Sequence, residues 1–348
     1  MLSHTVLVPQ ADQTNSLRLS ILDLAPVGRR QTAGDSFAAS VALAQRAEEL
    51  GYERVWYAEH HNIPTIASSA TSVLIAHVGA QTNTIRLGAG GVMLPNHAPL
   101  LIAEQFGTLA AMYPDRIDLG LGRAPGGDQD TMRALRRDPH SSDTFPQDVL
   151  ELQGYLTGNS VIPGVDAVPG KGSDVPLYIL GSSLFGARLA AGLGLPYAFA
   201  SHFAPAALLP ALATYRAEFR PSEQLDRPYA MAGVNILAAD TAAAAEAQLT
   251  SVRRARAVGQ FGRQFGVVGP DVSDEQADEI LAAGAARHVD ESLTYTAVGA
   301  PDDVRDFLDR FLRLTSADEV ITVHPARSAE DRLRSITLLA EAAQAVAA

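Results

Sequence analysis

Short apolar runs alternate along this chain with longer stretches in which apolar residues recur at helical spacing. The runs predict buried strands, and spacing such as that of Phe37, Val41 and Ala44 predicts an amphipathic helix. The predicted strands are Leu17–Leu24, Arg54–Ala58, Ile85–Met93, Arg116–Gly122, Val175–Leu180, Tyr197–Ala200, Tyr229–Ala238 and Glu319–Val323. Predicted helices between and after them include Ser68–Ala80, Pro99–Met112, Phe145–Leu156, Ala206–Phe219 and Ala329–Ala345.

Eight strands, each followed by a helix, are typical of an α/β protein with a (β/α)8 TIM barrel. A doubly wound open sheet is the rival, but Ala25–Arg30 after the first strand lacks its glycine fingerprint. We expect a short tail over residues 1–16 and one barrel domain over residues 17–348. The surplus length predicts insertions at Ala124–Thr144, Asn159–Asp174 and Val258–Thr296, the last at about 258–296 with a helix over Ser273–His288.

Charge and composition narrow the function classes. The 348 residues include 27 basic and 39 acidic ones, a net charge of −12, which argues against nucleic acid and anionic membrane surfaces as partners. Cysteine is absent, which excludes disulfides, thiolate–zinc sites and a cysteine nucleophile. No apolar stretch reaches membrane-spanning length, and the first residues lack the pattern of a signal peptide, so we expect a cytoplasmic protein.

In a barrel of this kind the chemistry lies at the carboxyl ends of the strands. Small residues dominate the end of the third strand, Gly88–Met93, either to leave room for a flat ligand or to relieve crowding between strands. Arg123 follows the fourth strand, and Gly181-Ser182-Ser183 opens a helix after the fifth. A guanidinium beside free N–H groups predicts a phosphate site.

Histidines form a second group at the predicted strand ends: His60, His61, His97 and His202. With Glu59 they suggest a metal site, but neighbouring side chains on a strand point to opposite faces, and no HExxH pair is present. We therefore expect no metal, and interpret a histidine of this group as a hydrogen-bonding partner or base.

Several motifs in the same order resemble one family. They are SILDLAPV (Ser20–Val27), AEHH (Ala58–His61), LGAGGVMLPNHAP (Leu87–Pro99), DRIDLGLGRAPG (Asp115–Gly126) and LGSS…AAGLGLPYAFASHF (Leu180–Phe203). The chain resembles the bacterial-luciferase-like flavin-dependent monooxygenases, and most of all the luciferase-family oxidoreductases of group 1. The resemblance implies a TIM barrel, a homodimer, and FMN or, in some branches, the deazaflavin F420.

Carried over by motif, the resemblance assigns catalysis to His60 and flavin binding to Ala25, Pro26, His60, Gly90, Gly91, Met93, Arg123, Ser182, Ser183 and Leu184. Arg123 would hold the flavin phosphate, and Gly90-Gly91 matches a pair joined by a cis peptide in relatives. Gly122 replaces the reactive cysteine of luciferases, which argues against light emission but not against flavin binding.

The resemblance implies a reaction in which reduced FMN, supplied by a separate NAD(P)H:flavin reductase, and O₂ oxygenate a small organic substrate. Two alternatives stay open. One is an F420-dependent oxidoreductase on the same fold, and the other is a flavin-binding protein without turnover. The substrate is not readable from the residues.

Overall fold

The computed structural model describes residues 17–124, 127–138, 140–269 and 271–344. The tail predicted over residues 1–16 lies outside them. The described strands are β1 (Leu19–Asp23), β2 (Arg54–Tyr57), β3 (Arg86–Met93), β4 (Ile117–Gly122), β5 (Leu177–Gly181), β6 (Tyr197–Phe199), β7 (Ala230–Ala238), β8 (Thr296–Gly299) and β9 (Glu319–Val323). All pair in parallel in the order β6-β5-β4-β3-β2-β1-β9-β7-β8. A further β6–β7 pairing closes eight of them into a barrel, which confirms the predicted TIM barrel.

Helices surround the barrel. They are α1 (Ala33–Leu50), α2 (Thr71–Gly79), α3 (Pro99–Met112), α4 (Gln129–Ala134), α5 (Phe145–Thr157), α6 (Leu184–Leu193), α7 (Leu208–Glu218), α8 (Ala242–Phe261), α9 (Asp274–Ile280), α10 (Ala286–Ser292), α11 (Pro301–Thr315) and α12 (Ala329–Gln344). Short 3₁₀ turns occupy Leu94–Asn96, Pro205–Ala207 and Gly262–Phe265. Within the described residues, no helix combines the length and the apolar character needed to cross a membrane.

The main departure from the sequence prediction lies between β7 and β9. β8 and α11 were not predicted, and β8 pairs with the second half of β7, Asn235–Ala238, outside the closed barrel. Helix α8 runs to Phe261, so the insertion proper lies between α8 and β8. The helix predicted over Ser273–His288 is present as α9 and α10, separated by a π-helical turn in which Gly284 has φ 116°.

A charged network lies inside the amino-terminal end of the barrel. Arg54 donates to both carboxylate oxygens of Glu319, at 2.9 and 3.1 Å, and to Asp118 at 2.6 Å. Arg86 also pairs with Asp118, and Tyr229 donates to Glu319 at 2.5 Å. Two guanidinium groups thus balance two buried carboxylates, as buried charges require. This end of a barrel contributes stability, and the opposite end carries the candidate site.

Candidate active site

The carboxyl ends of neighbouring strands bring several predicted residues together. Met93, the last residue of β3, is register partner to Gly122 at the end of β4. A Cβ atom on Gly122 would lie 2.9 Å from the Met93 sulfur, so the thioether covers this glycine. Arg123 follows immediately. The predicted residues therefore form one continuous rim across β3 and β4, and a cysteine at position 122 would require Met93 to move.

Glu59, directly after β2, is the hydrogen-bonding centre of this rim. Its carboxylate is 1% exposed and accepts from His61 Nε2 and His97 Nε2, both at 2.8 Å, and from the Met93 N–H at 2.9 Å. Burial alone raises the pKa of Glu59, but the hydrogen bonds and the charge of His97 outweigh it and lower the pKa to about 2. Glu59 is therefore ionised and fixes both imidazoles and the end of β3.

This role of Glu59 is missed by sequence reasoning, which weighs it only as a metal ligand. Its closeness to His61 in the sequence could have indicated that contact, but His97 reaches Glu59 only through the fold. Among the described residues, no group of three or more His, Cys, Asp or Glu side chains could hold a metal ion. The contacts of Glu59 are those of a carboxylate accepting hydrogen bonds.

His60, the predicted catalytic residue, follows Glu59 in the chain. Its Nδ1 is buried and has no hydrogen-bond partner among the described residues. Burial lowers the pKa of His60, while the charge of Glu59 opposes the shift. The imidazole is therefore neutral near pH 7, with a buried nitrogen free to exchange a proton or a hydrogen bond with a ligand.

The glycines of β3 and β4 allow strands to approach each other. A Cβ atom on Gly91 would lie 2.7 Å from the Gly120 carbonyl oxygen, and one on Gly90 would lie 2.8 Å from a methyl carbon of Leu22. The peptide bond between Gly90 and Gly91 is cis, as the resemblance implies. Protein atoms thus fill the space that side chains at these two positions would need.

Ala25 and Pro26 lie at the end of β1. Ala25 is fully buried with φ 46°, and its N–H donates to Asp23 Oδ1 at 3.0 Å while its carbonyl accepts from the Ala67 N–H at 2.9 Å. Pro26 forms a bridge with Ile66. These contacts fix the loop after β1 at the barrel mouth.

Arg123 and the start of α6 lie side by side. The Arg123 guanidinium stacks over the Phe185 ring at 4.2 Å from its centroid, and Phe185 is the second residue of α6. Ser182 and Ser183 are exposed, and Ser183 is the N-cap without a side-chain capping bond. The arrangement places a cation beside the N–H groups that begin a helix, where an anion is favoured. Phe185 is a residue that sequence reasoning missed.

The segment between α8 and β8 reaches loops around the barrel mouth. Arg263 pairs with Asp128, after β4, at 2.6 Å, and the Arg29 guanidinium, after β1, donates to the Val272 carbonyl. These contacts tie the segment to the loops that follow β1 and β4.

Comparison with known proteins identifies the family of the chain. The model of the family described as luciferase-like monooxygenase matches residues 17–319. The chain is 48% identical over 326 residues to the luciferase-like monooxygenase of Escherichia coli (strain K12), covering 93% of this chain and 96% of the relative. It is 33% identical over 343 residues to the N-acetyl-S-alkylcysteine monooxygenase of Bacillus subtilis (strain 168), covering 94% and 98%. The crystal structure of apo-MsnO8 superposes with TM-score 0.84 at 38% identity, covering 94% of this chain and 98% of that one.

Two more distant solved structures share the fold. One is the oxygenating constituent of 3,6-diketocamphane monooxygenase in complex with FMN, with TM-score 0.65 at 16% identity. The other is an F420-dependent secondary alcohol dehydrogenase, with TM-score 0.69 at 15% identity. The first of these proteins is named with FMN and the second with F420, and their likeness to this chain is one of fold. The family model matches the chain from the residues before β1 into β9. The chain therefore belongs to the luciferase-like monooxygenase family.

Proposed function

We propose that this protein is a flavin-dependent monooxygenase that uses reduced FMN and O₂ to oxygenate a small organic substrate. A separate NAD(P)H:flavin reductase supplies the reduced flavin. The observation that carries the proposal is the Arg123 guanidinium against the first turn of α6, at the rim where His60 and Met93 also lie. Reduced flavin bound there would supply the electrons that activate O₂. The protein would bind and orient the flavin and the substrate and exclude water from the site.

The residues present fit the phosphate of FMN. Arg123 offers a charged donor, the N–H groups at the start of α6 offer further donors, and the Ser182 and Ser183 hydroxyls are exposed beside them. In a chain of net charge −12, a few local donors must hold an anionic cofactor. The Arg123→Ala variant should therefore raise the Kd for FMN about tenfold or more, because a charge-assisted hydrogen bond contributes roughly 1.5–3 kcal/mol.

Quenching of flavin fluorescence measures this Kd. Arg188→Ala is the matched control, since Arg188 lies one turn further along α6, is exposed, and pairs only loosely with Glu218 at 3.5 Å. The control should bind FMN as the wild type does. An unchanged Kd in Arg123→Ala would exclude the phosphate from this position.

His60 is the proposed catalytic residue. Its buried, unpartnered Nδ1 belongs to a neutral ring that can accept or donate a proton beside the bound flavin. His60→Ala should keep FMN affinity within about threefold while oxygenation falls about 10²-fold or more. N-acetyl-S-methylcysteine and cyclohexanone serve as first substrates, the former because of the name of the relative in Bacillus subtilis. The exposed His77 on α2 gives the control variant His77→Ala. Full oxygenation by His60→Ala would exclude the role.

The FMN titration, repeated with F420, distinguishes the two alternative functions. Purified protein that binds F420 and not FMN would be an F420-dependent oxidoreductase. Tight binding of FMN without consumption of NADH beyond that of the added reductase would indicate a flavin-binding protein without turnover. We expect FMN binding, and oxygenated product only when the reductase and NADH are both added.

We also propose a homodimer, which light scattering on the eluted protein would test.

A further inference from the structure

The side chain of Arg123 is held by an aromatic ring. Its guanidinium carbon lies 4.2 Å from the centroid of the Phe185 ring, and among the described residues the guanidinium has no ion pair and no hydrogen bond. An exposed arginine has many rotamers, and a contact that holds one of them reduces the entropy lost when a ligand binds. The ring contact therefore orients the guanidinium before a ligand arrives.

This contact uses none of the hydrogen-bond donors of Arg123. The N–H groups of a guanidinium lie in its plane, whereas the attraction of the cation to an aromatic ring comes from the quadrupole of the ring face. Phe185 thus holds the cation in place and leaves its N–H groups available for an anion. An acidic partner in the same position would hold the arginine equally well, but it would occupy those donors and cancel the charge.

The start of α6, which carries Phe185, is fixed by a strand of the barrel. Tyr197, fully buried on β6, donates from its hydroxyl to the Ser183 carbonyl at 3.0 Å. A Cβ atom on Gly186 would lie 3.3 Å from a ring carbon of Tyr197, so the helix backbone packs directly on this ring. The backbone before and after Phe185 is therefore held by one buried side chain.

Phe185 lies outside the packed face of its helix. The buried residues of α6 are all small: Gly186, Ala187, Ala190 and Ala191. The Phe185 side chain is 39% exposed, and among the described residues Arg123 is the one cationic or aromatic group that meets its ring. The contacts of this phenylalanine thus point to a role toward Arg123.

We propose that Phe185 is a positioning residue, which holds the Arg123 guanidinium for the phosphate of FMN and thereby sets a preference for phosphorylated flavin. This inference rests on the proposed function, since it assigns a residue to the cofactor site of that function. Riboflavin carries the same ring system and ribityl chain as FMN but no phosphate. A residue that acts through Arg123 therefore affects the binding of FMN and leaves that of riboflavin unchanged.

Calorimetric titration with FMN and with riboflavin tests this role. Phe185→Leu keeps an apolar side chain and removes the ring, so the Kd for FMN should rise about three- to fivefold while that for riboflavin stays the same. Phe185→Trp should retain the affinity for FMN, since indole is the ring that attracts a cation most strongly. Phe265→Leu is the matched control, because Phe265 is also exposed and, among the described residues, no arginine lies over its ring.

A double-mutant cycle with Arg123→Ala separates positioning from a direct contact of Phe185 with the flavin. In a chain that already lacks the guanidinium, Phe185→Leu should have no further effect on the Kd for FMN. Equal Kd values for FMN and riboflavin in the wild type would overturn the proposal. So would an unchanged Kd for FMN in Phe185→Leu, an equal loss of riboflavin affinity, or the same loss of FMN affinity in the Arg123→Ala background.

Oxygenation is measured separately on the same variants, so that this assignment and the proposed function can fail independently. A preference for FMN that depends on Phe185, in a protein that oxygenates no substrate, would support the assignment while the proposed function fails. FMN binding and oxygenation with an unchanged Kd for FMN in Phe185→Leu would do the reverse.

Discussion

Replacing Glu59 by glutamine tests the hydrogen-bonding centre of the site. The carboxylate accepts from the Met93 N–H through one oxygen and from His61 and His97 through the other. Glutamine can present only one oxygen, so a carbonyl facing Met93 leaves an NH₂ group facing two imidazole nitrogens. Both imidazole nitrogens must then accept hydrogen bonds where they donated them. The negative charge of the carboxylate, which favoured the imidazole N–H donors, is also lost.

The magnitude follows from the pKa of Glu59. Its fall from an ordinary 4.5 to about 2 corresponds, at roughly 1.4 kcal/mol for each tenfold change in proton affinity, to about 3 kcal/mol of folding free energy at pH 7. Because the folded-state pKa is lowered, this stability is present above pH 4.5 and is lost as the pH falls toward 2. Glu59→Gln should therefore be about 3 kcal/mol less stable at pH 7, and less than half of that difference should remain at pH 3.

Urea denaturation followed by circular dichroism at both pH values measures the two differences. Glu49→Gln is the control, because Glu49 is exposed on α1 and, among the described residues, pairs only with Arg46, a surface pair that contributes about 0–1 kcal/mol. A Glu59→Gln variant as stable as the wild type at pH 7 would show that the ionised carboxylate does not stabilise the fold. So would a deficit of the same size at pH 3, because the loss would then not depend on the ionised carboxylate.

Three further perturbations test the scaffold around the site. Arg54→Met should cost about 3–5 kcal/mol in urea denaturation at pH 7, since it leaves the buried Glu319 carboxylate without its guanidinium partner, whereas Arg287→Met on an exposed pair should cost under about 1 kcal/mol; similar values for the two would contradict this. Gly107→Ala should lower stability by about 1–3 kcal/mol, because its Cβ would lie 2.1 Å from the Gly170 Cα atom, and an unchanged thermal midpoint would contradict the close contact. Arg263→Ala should change the unfolding free energy by less than about 1 kcal/mol but increase proteolysis between α8 and β8, since its pair with the loop after β4 is exposed; an unchanged cleavage rate would show that the pair does not tether the segment.

The candidate site was only partly readable from the chain. The motif order identified the rim, and the structure places Arg123 against α6 and Met93 over Gly122 as neighbours. The sequence does not show why β3 and β4 carry glycines, because whether a missing Cβ faces a ligand or the next strand depends on the spacing of the strands. The partner of His97 was hidden for the same reason, since Glu59 is distant from it in sequence.

The barrel follows from local patterns in the chain, because each strand and helix carries its own period of apolar residues, and eight such pairs in order have few ways to pack. Its acidic balance and lack of cysteine are equally local facts. The contacts of Arg54 with Asp118 and Glu319, the contact of Glu59 with His97, and the pairing of β8 with β7 depend on the folded arrangement. Hydrophobic spacing records which face of an element is buried, whereas the pairing of buried charges depends on which distant strand ends share the same barrel layer.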